Sequence, residues 1–169
     1  MAPTVTADPA FATRNDLPAT SRTQVADLLN RRLADALDLQ SQCKQAHWNV
    51  KGPQFIALHK LFDDVYQDVT EYADLLAERI VQLGGVAYGT ARDVAETSEL
   101  DEYPNSISTG EDHVKSLSAA LAAFGSRMRR AIDETDELDD AATADLCTEI
   151  TRGTDKWLWF VEAHAQARA

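Results

Sequence analysis

From residue 21 onward the chain reads in helical period. Val25, Leu28, Leu29, Leu33, Ala36 and Leu37 recur at spacings of three and four, which lays apolar side chains along one helix face. Ser21 with Gln24 three residues on has the form of a capping box, so a first helix is expected from there to about Trp48. Gly52 and Pro53 break the pattern. Pro53 suits a first helical turn, and a second helix is expected from it to the Gly84-Gly85 stop, with a core stripe of Phe55, Leu58, Phe62, Val65, Val69, Tyr72, Leu76, Ile80 and Leu83. Residues 86–108 form a long connection in which 90–97 can make one or two helical turns. Thr109 with Asp112 caps a third helix carrying Val114, Leu117, Leu121, Phe124, Met128 and Ile132. The acidic run 133–140 is read as a turn that feeds negative charge to a fourth helix, reaching about Ala165 through Leu146, Ile150, Trp157 and Val161.

No segment alternates as a strand does. Four long helices with one long connection in the middle predict an all-α chain of the ferritin-like variety of four-helix bundle. At 169 residues and 44% hydrophobic positions the chain fits one domain, expected over 21–169. Residues 1–20, rich in Ala, Thr and Pro without period, read as a mobile tail. Sixteen Lys and Arg against 28 Asp and Glu leave a formal charge of −12, which argues against a chain-wide grip on nucleic-acid phosphates. Metal cations or basic partners suit it better. Cys43 and Cys147 are too few for a disulfide framework and fall in helical segments, so a reducing compartment is expected. With no apolar run for a signal peptide or a membrane span, the expectation is a soluble cytoplasmic protein.

The chemistry concentrates after Ala46. On the second helix His59, Asp63, Tyr66, Thr70, Asp74 and Glu78 share a stripe about 120° wide, rotated about 100–130° from the apolar one. Taken singly, acids on such a face are usually solvated. Their pairing with histidine points to a metal: His59 and Asp63 can share one ion, as can Asp74 and Glu78. Those pairs lie about 22 Å apart along one axis, so one helix cannot close the site. Packed antiparallel on its own copy about a two-fold axis, the helix sets His59 opposite Glu78 and Asp63 opposite Asp74, because both pairings share one midpoint between Asp68 and Val69. His47 stands six residues before Pro53 and His59 six after, so a hairpin brings them level. The expected shell is His47, His59 and Asp63 of one subunit with Asp74 and Glu78 of its mate. Two imidazoles and three carboxylates suit Fe(II), with Zn, Mn or Co as competitors. No Glu stands three residues before a histidine, which argues against an intrachain di-iron centre. His113 and His164, without carboxylate partners in sequence, read as surface or packing residues.

The segment AHWNVKGPQFIALHKLFDDVYQDVTEYADLLAERI, with a weaker echo in Asp155-Lys156-Trp157-Leu158-Trp159-Phe160, resembles the Dps family, the miniature ferritins called DNA-binding proteins from starved cells. The resemblance implies a hollow shell of twelve subunits. It also implies ferroxidase centres at two-fold interfaces built from the residues at His47, His59, Asp63, Asp74 and Glu78. The reaction it implies is oxidation of Fe(II), with hydrogen peroxide preferred to dioxygen, and storage of ferric mineral inside the shell. Trp48, directly after a ligand, has two readings: a trap for stray oxidising equivalents, or an aromatic filling the corner between the first two helices. Asp140 and Asp145 resemble the acids lining three-fold pores, with helix capping as the alternative for some of the acids nearby. The departure from the family is the tail. Arg14 and Arg22 balance Asp8 and Asp16, and Arg168 alone follows His164, so DNA binding by counterion release lacks its cationic side. A nucleoid-condensing DNA binder with minor iron chemistry is the second functional reading, and a bundle whose His and Asp stripe is only a polar dimer contact is the third.

Overall fold

A computed structural model describes residues 11–166. Five helices follow in order: α1 (Ala19–Asn49), α2 (Phe55–Gln82), α3 (Ala91–Thr97), α4 (Gly110–Glu137) and α5 (Ala141–Glu162). No strand occurs among the described residues, and one isolated bridge joins Lys51 to Thr109. The hairpin α1–α2 packs on the hairpin α4–α5, with α1 against α4 and α2 against α5. The crossover carrying α3 spans the bundle, as in ferritin-like folds. Phe62, Phe124, Leu29, Leu39, Leu58, Leu76 and Met128 are among the largest side chains sealed in the core.

The helix boundaries follow local chemistry. Thr90 and Asp93 cap α3 reciprocally, and Thr109 accepts from the Asp112 amide at the start of α4. At the end of α2, Gly84 takes φ 87°, the Gly84 amide donates to Val81 and the Gly85 amide to Ile80, a Schellman ending that the glycine pair makes possible. Buried charge fixes the crossover. Arg32 donates to Asp35 at 2.9 Å and to Glu99 at 2.7 Å, the Glu99 amide donates to Asp35, and Arg127 of α4 donates to Glu99 at 3.2 Å. A close approach ties α2 to α5: a Cβ at Gly153 would fall 2.0 Å from the Tyr72 hydroxyl.

Several sequence expectations are corrected. Helix α1 starts at Ala19 after Pro18 with no side-chain cap, so the Ser21–Gln24 box does not form; Arg22 donates instead to the Asn15 and Leu17 carbonyls. Residues 11–18 of the expected tail lie along the bundle, with the Phe11 amide on the Gly84 carbonyl, while 1–10 lie outside the described residues. Pro53 precedes α2 by two residues, and Phe55 is 43% exposed rather than in the core. Leu37, Ile132 and Leu146 of the expected stripes do pack against the core, half-buried at its edge. The acidic run does not turn at 133, because residues through Glu137 complete α4. The turn is confined to 138–140, where Asp139 adopts φ 61°, a left-handed conformation that Asp tolerates. Helix α5 ends at Glu162, short of Ala165.

Candidate metal centre

Helix α1 ends at Asn49 and α2 starts at Phe55, so the short corner returns the chain antiparallel and brings His47 level with His59. Their rings stack with centroids 3.7 Å apart. Each ring is held by the other's backbone: His47 Nδ1 lies 2.7 Å from the His59 carbonyl, and His59 Nδ1 lies 2.8 Å from the His47 carbonyl. A carbonyl only accepts, so both Nδ1 atoms carry hydrogen and donate. Both Nε2 lone pairs are left free for a metal, the tautomer a ligating imidazole needs.

Asp63, one turn after His59, carries its Oδ1 to 4.0 Å from His47 Nδ1. The same oxygen accepts a hydrogen bond from Lys44, whose ammonium sits 4.3 Å from the centroid of the Tyr66 ring. The Lys44 contact holds the Asp63 carboxyl below the usual carboxylate range. Asp74 and Glu78 are exposed on α2, and neither forms an ion pair with a described residue. Among the described residues no three His, Cys, Asp or Glu side chains of the single chain gather into an ion-sized cluster. The protomer thus brings His47, His59 and Asp63 into one neighbourhood and leaves Asp74 and Glu78 facing outward, with no acceptor set closed by itself.

Trp48 is 68% exposed and does not fill the α1–α2 corner; it borders a groove shared with Lys44, Gln40 and Tyr66. Asp140 and Asp145 part company. Asp140 is 2% exposed, caps α5 through the Thr143 amide and accepts from Arg79 at 2.8 Å, whereas Asp145 is exposed on α5. Asp140 is therefore engaged within the protomer as a cap and ion-pair partner, the capping alternative weighed from sequence. His113 is buried and shares a 2.6 Å hydrogen bond between its Nδ1 and the Tyr103 hydroxyl, while His164 is exposed with its Nδ1 2.9 Å from the Phe160 carbonyl. Burial pushes the Cys43 and Cys147 thiols up to about 12, away from the thiolate form. Sequence reasoning missed Lys44. Its position three residues before His47, on the α1 face that meets α2, is the signal that was available.

The profile of the ferritin-like domain matches residues 26–168. A protein of Agrobacterium fabrum named "DNA protection during starvation protein" is 44% identical over 157 residues, 93% of this chain and 97% of that one. DpsC from Streptomyces coelicolor superposes with a TM-score of 0.90 at 29% identity, covering 98% of each chain. The Dps from Microbacterium arborescens, solved in a high iron form, superposes at 0.83 with 34% identity, covering 92% of this chain and 99% of that one. The architecture is that of a ferritin-like protein, and within that class the chain belongs to the Dps family.

Proposed function

We propose that the chain is an iron-oxidising and iron-storing miniferritin. In this reading α2 pairs with its copy, and each of two symmetric centres takes His47, His59 and Asp63 from one subunit and Asp74 and Glu78 from the other. Twelve subunits close a hollow shell in which ferric mineral is deposited. The carrying observation is the reciprocal histidine pair, whose Nδ1 atoms are both spent on carbonyls and whose Nε2 atoms are free, in a hairpin where the exposed acids Asp74 and Glu78 of α2 mirror Asp63 and His59 about one midpoint. Carboxylates favour the hard Fe(III) product and the imidazoles orient the Fe(II) substrate. Two Fe(II) supply the two electrons that, with two protons, break the O–O bond of one hydrogen peroxide and give two waters and two Fe(III) without releasing a radical. Dioxygen is the slower oxidant, and Zn or Mn fits the same donors. Trp48, exposed next to a ligand, is placed to intercept oxidising equivalents that escape.

The test is peroxide-dependent oxidation of Fe(II), followed by ferric absorbance, in the wild type and in His59→Ala combined with Asp63→Ala. The double variant is expected to lose most of the rate while still assembling; equal rates overturn the reading. DNA condensation, the second reading, is disfavoured by a net charge of −12, which works against binding by counterion release. No helix among the described residues is long and apolar enough to cross a membrane. Cytoplasmic action accords with two buried, unbridged cysteines.

A further inference from the structure

The stretch before α1 is pinned at both ends. Arg22 donates to the Asn15 and Leu17 carbonyls, Leu17 packs against the core, and the Phe11 amide donates to the Gly84 carbonyl at 3.1 Å. These anchors hold residues 11–18 at the end of α2, yet the Phe11 ring at their tip is 65% exposed. A phenyl ring left in water forgoes the burial that such a side chain ordinarily supplies. A second apolar exposure stands at the opposite end of the same helix, where Pro53, Phe55, Ile56 and Ala57 all face solvent. The Phe55 ring lies against that of His59, with centroids 5.1 Å apart. Within one chain the two exposures cannot meet, because Phe55 and Gly84 are separated by the length of α2, about 40 Å.

We propose that residues 11–18 are an intersubunit strap, in which Phe11 of each subunit seats on Pro53 and Phe55 of its two-fold mate. The occupant of the Pro53–Phe55 shelf is thus a second copy of this chain. In the antiparallel pairing about the point between Asp68 and Val69, Gln82 falls opposite Phe55, so Gly84, two residues past Gln82, comes level with Pro53, two residues before Phe55. The ring hung on Gly84 is thereby delivered to the shelf, and the contact runs on without a break into the exposed Val81 of the same subunit and Ile56 of the other. Apolar surface is covered on both partners. Because Phe55 rests on the His59 ring, the strap also adds apolar cover from one subunit beside the histidine pair of the other. This inference rests on the α2 pairing of the ferroxidase reading and adds to that site a residue outside its ligand set.

Phe11→Cys combined with Phe55→Cys, treated in the assembled protein with a short bismaleimide and run on a denaturing gel, tests the strap. Such a linker reaches only a small fraction of the roughly 40 Å between the two positions in one chain, so any link joins two chains. Most chains are expected in linked dimers, and neither single-cysteine variant is expected to give them, since Cys43 and Cys147 are buried. Ile56→Cys with Val81→Cys reports the helix pairing alone. A link at 56–81 without one at 11–55 overturns the strap and leaves the ferroxidase reading standing; absence of both overturns the α2 pairing on which that reading and this inference depend. Sedimentation in rising guanidinium chloride gives a readout without cysteines. Phe11→Ser is expected to dissociate at lower denaturant than the wild type, with Phe11→Leu, which keeps an apolar side chain, in between. Equal midpoints for Phe11→Ser and the wild type also overturn the strap.

Discussion

His113 sits where the crossover, α4 and the end of α1 meet, sealed from solvent with Tyr103 on one ring nitrogen. The groups that bear on it are Asp112 beside it, the Asn49 backbone carbonyl and Lys51 from the α1–α2 corner, and the Phe62 ring of α2. Burial outweighs the rest and holds its pKa below the ordinary histidine value. The sign follows from proton counting. Below that ordinary value the unfolded chain takes up a proton that the folded chain refuses, so stability is intact above about pH 6.5 and declines as the pH falls toward the lowered folded pKa. The slope in that window is about 1.4 kcal/mol per pH unit for one full proton. Urea midpoints at pH 7.5 and 5.5 are expected to differ less in His113→Gln than in the wild type, and an unchanged difference would remove His113 as the acid-sensitive group. Residues of this kind were hard to read from the sequence: its burial depends on Tyr103 arriving from the crossover, which no spacing along α4 encodes. His47, His59 and Asp63 were legible because helix period and hairpin level depend only on counting residues. Lys44 was not, since a lysine on a helix face is ordinarily solvated and only the register of the partner helix gives it Asp63.

At the scale of elements, the start of α5 concentrates the acidic character of the α4–α5 corner, yet its two candidate pore acids are held differently. Asp140 joins the Thr143 amide and hydroxyl to the Arg79 guanidinium, linking the α5 cap to the last turn of α2. Removing it strips a cap and leaves Arg79, itself mostly buried, without its counter-charge. Asp140→Ala is expected to lower stability by about 3–5 kcal/mol in thermal or urea unfolding. Asp145→Asn, on the exposed face, is expected to leave the unfolding curve within about 0.5 kcal/mol while slowing iron uptake into the assembled shell. Uptake at the wild-type rate would take Asp145 out of the pore. The elements themselves were legible, because apolar stripes at three and four and the Thr109 and Gly84 signals are local. The boundaries that failed were those decided by tertiary contact: α1 extends back to Ala19, just after Leu17 meets the core, and the acidic stretch of α4 stays helical with Ala131 buried just before it and Thr135 buried within it.

For the whole molecule, the outward face of α2 carries more than ligands. Ile56 and Val81 are 59% and 57% exposed, and they too are equidistant from the point between Asp68 and Val69. An antiparallel copy would therefore cover each with the other and bury apolar surface at both ends of the contact, flanking the proposed centres. Ile56→Glu with Val81→Glu is expected to shift sedimentation from the large assembly to small species and to abolish Zn(II) binding at the proposed centres, although neither side chain is a metal ligand. Retention of the large assembly by this variant would refute the pairing. Charge acts at this scale as well, since repulsion among subunits of net charge −12 makes such apolar cover and cation loading the natural counterweights.

The two stacked imidazoles are each seated on the main chain of the opposite helix. Main-chain carbonyls cannot be substituted away, so point mutation elsewhere leaves both seats in place. An inserted or deleted residue in the turn between the helices would unseat both rings together. Lineages bearing this hairpin should consequently tolerate drift in the identities of the exposed residues 51, 53 and 54 far better than any change in the length of the turn, and a graft of the turn into a foreign bundle should transmit ligand geometry only when its length is copied.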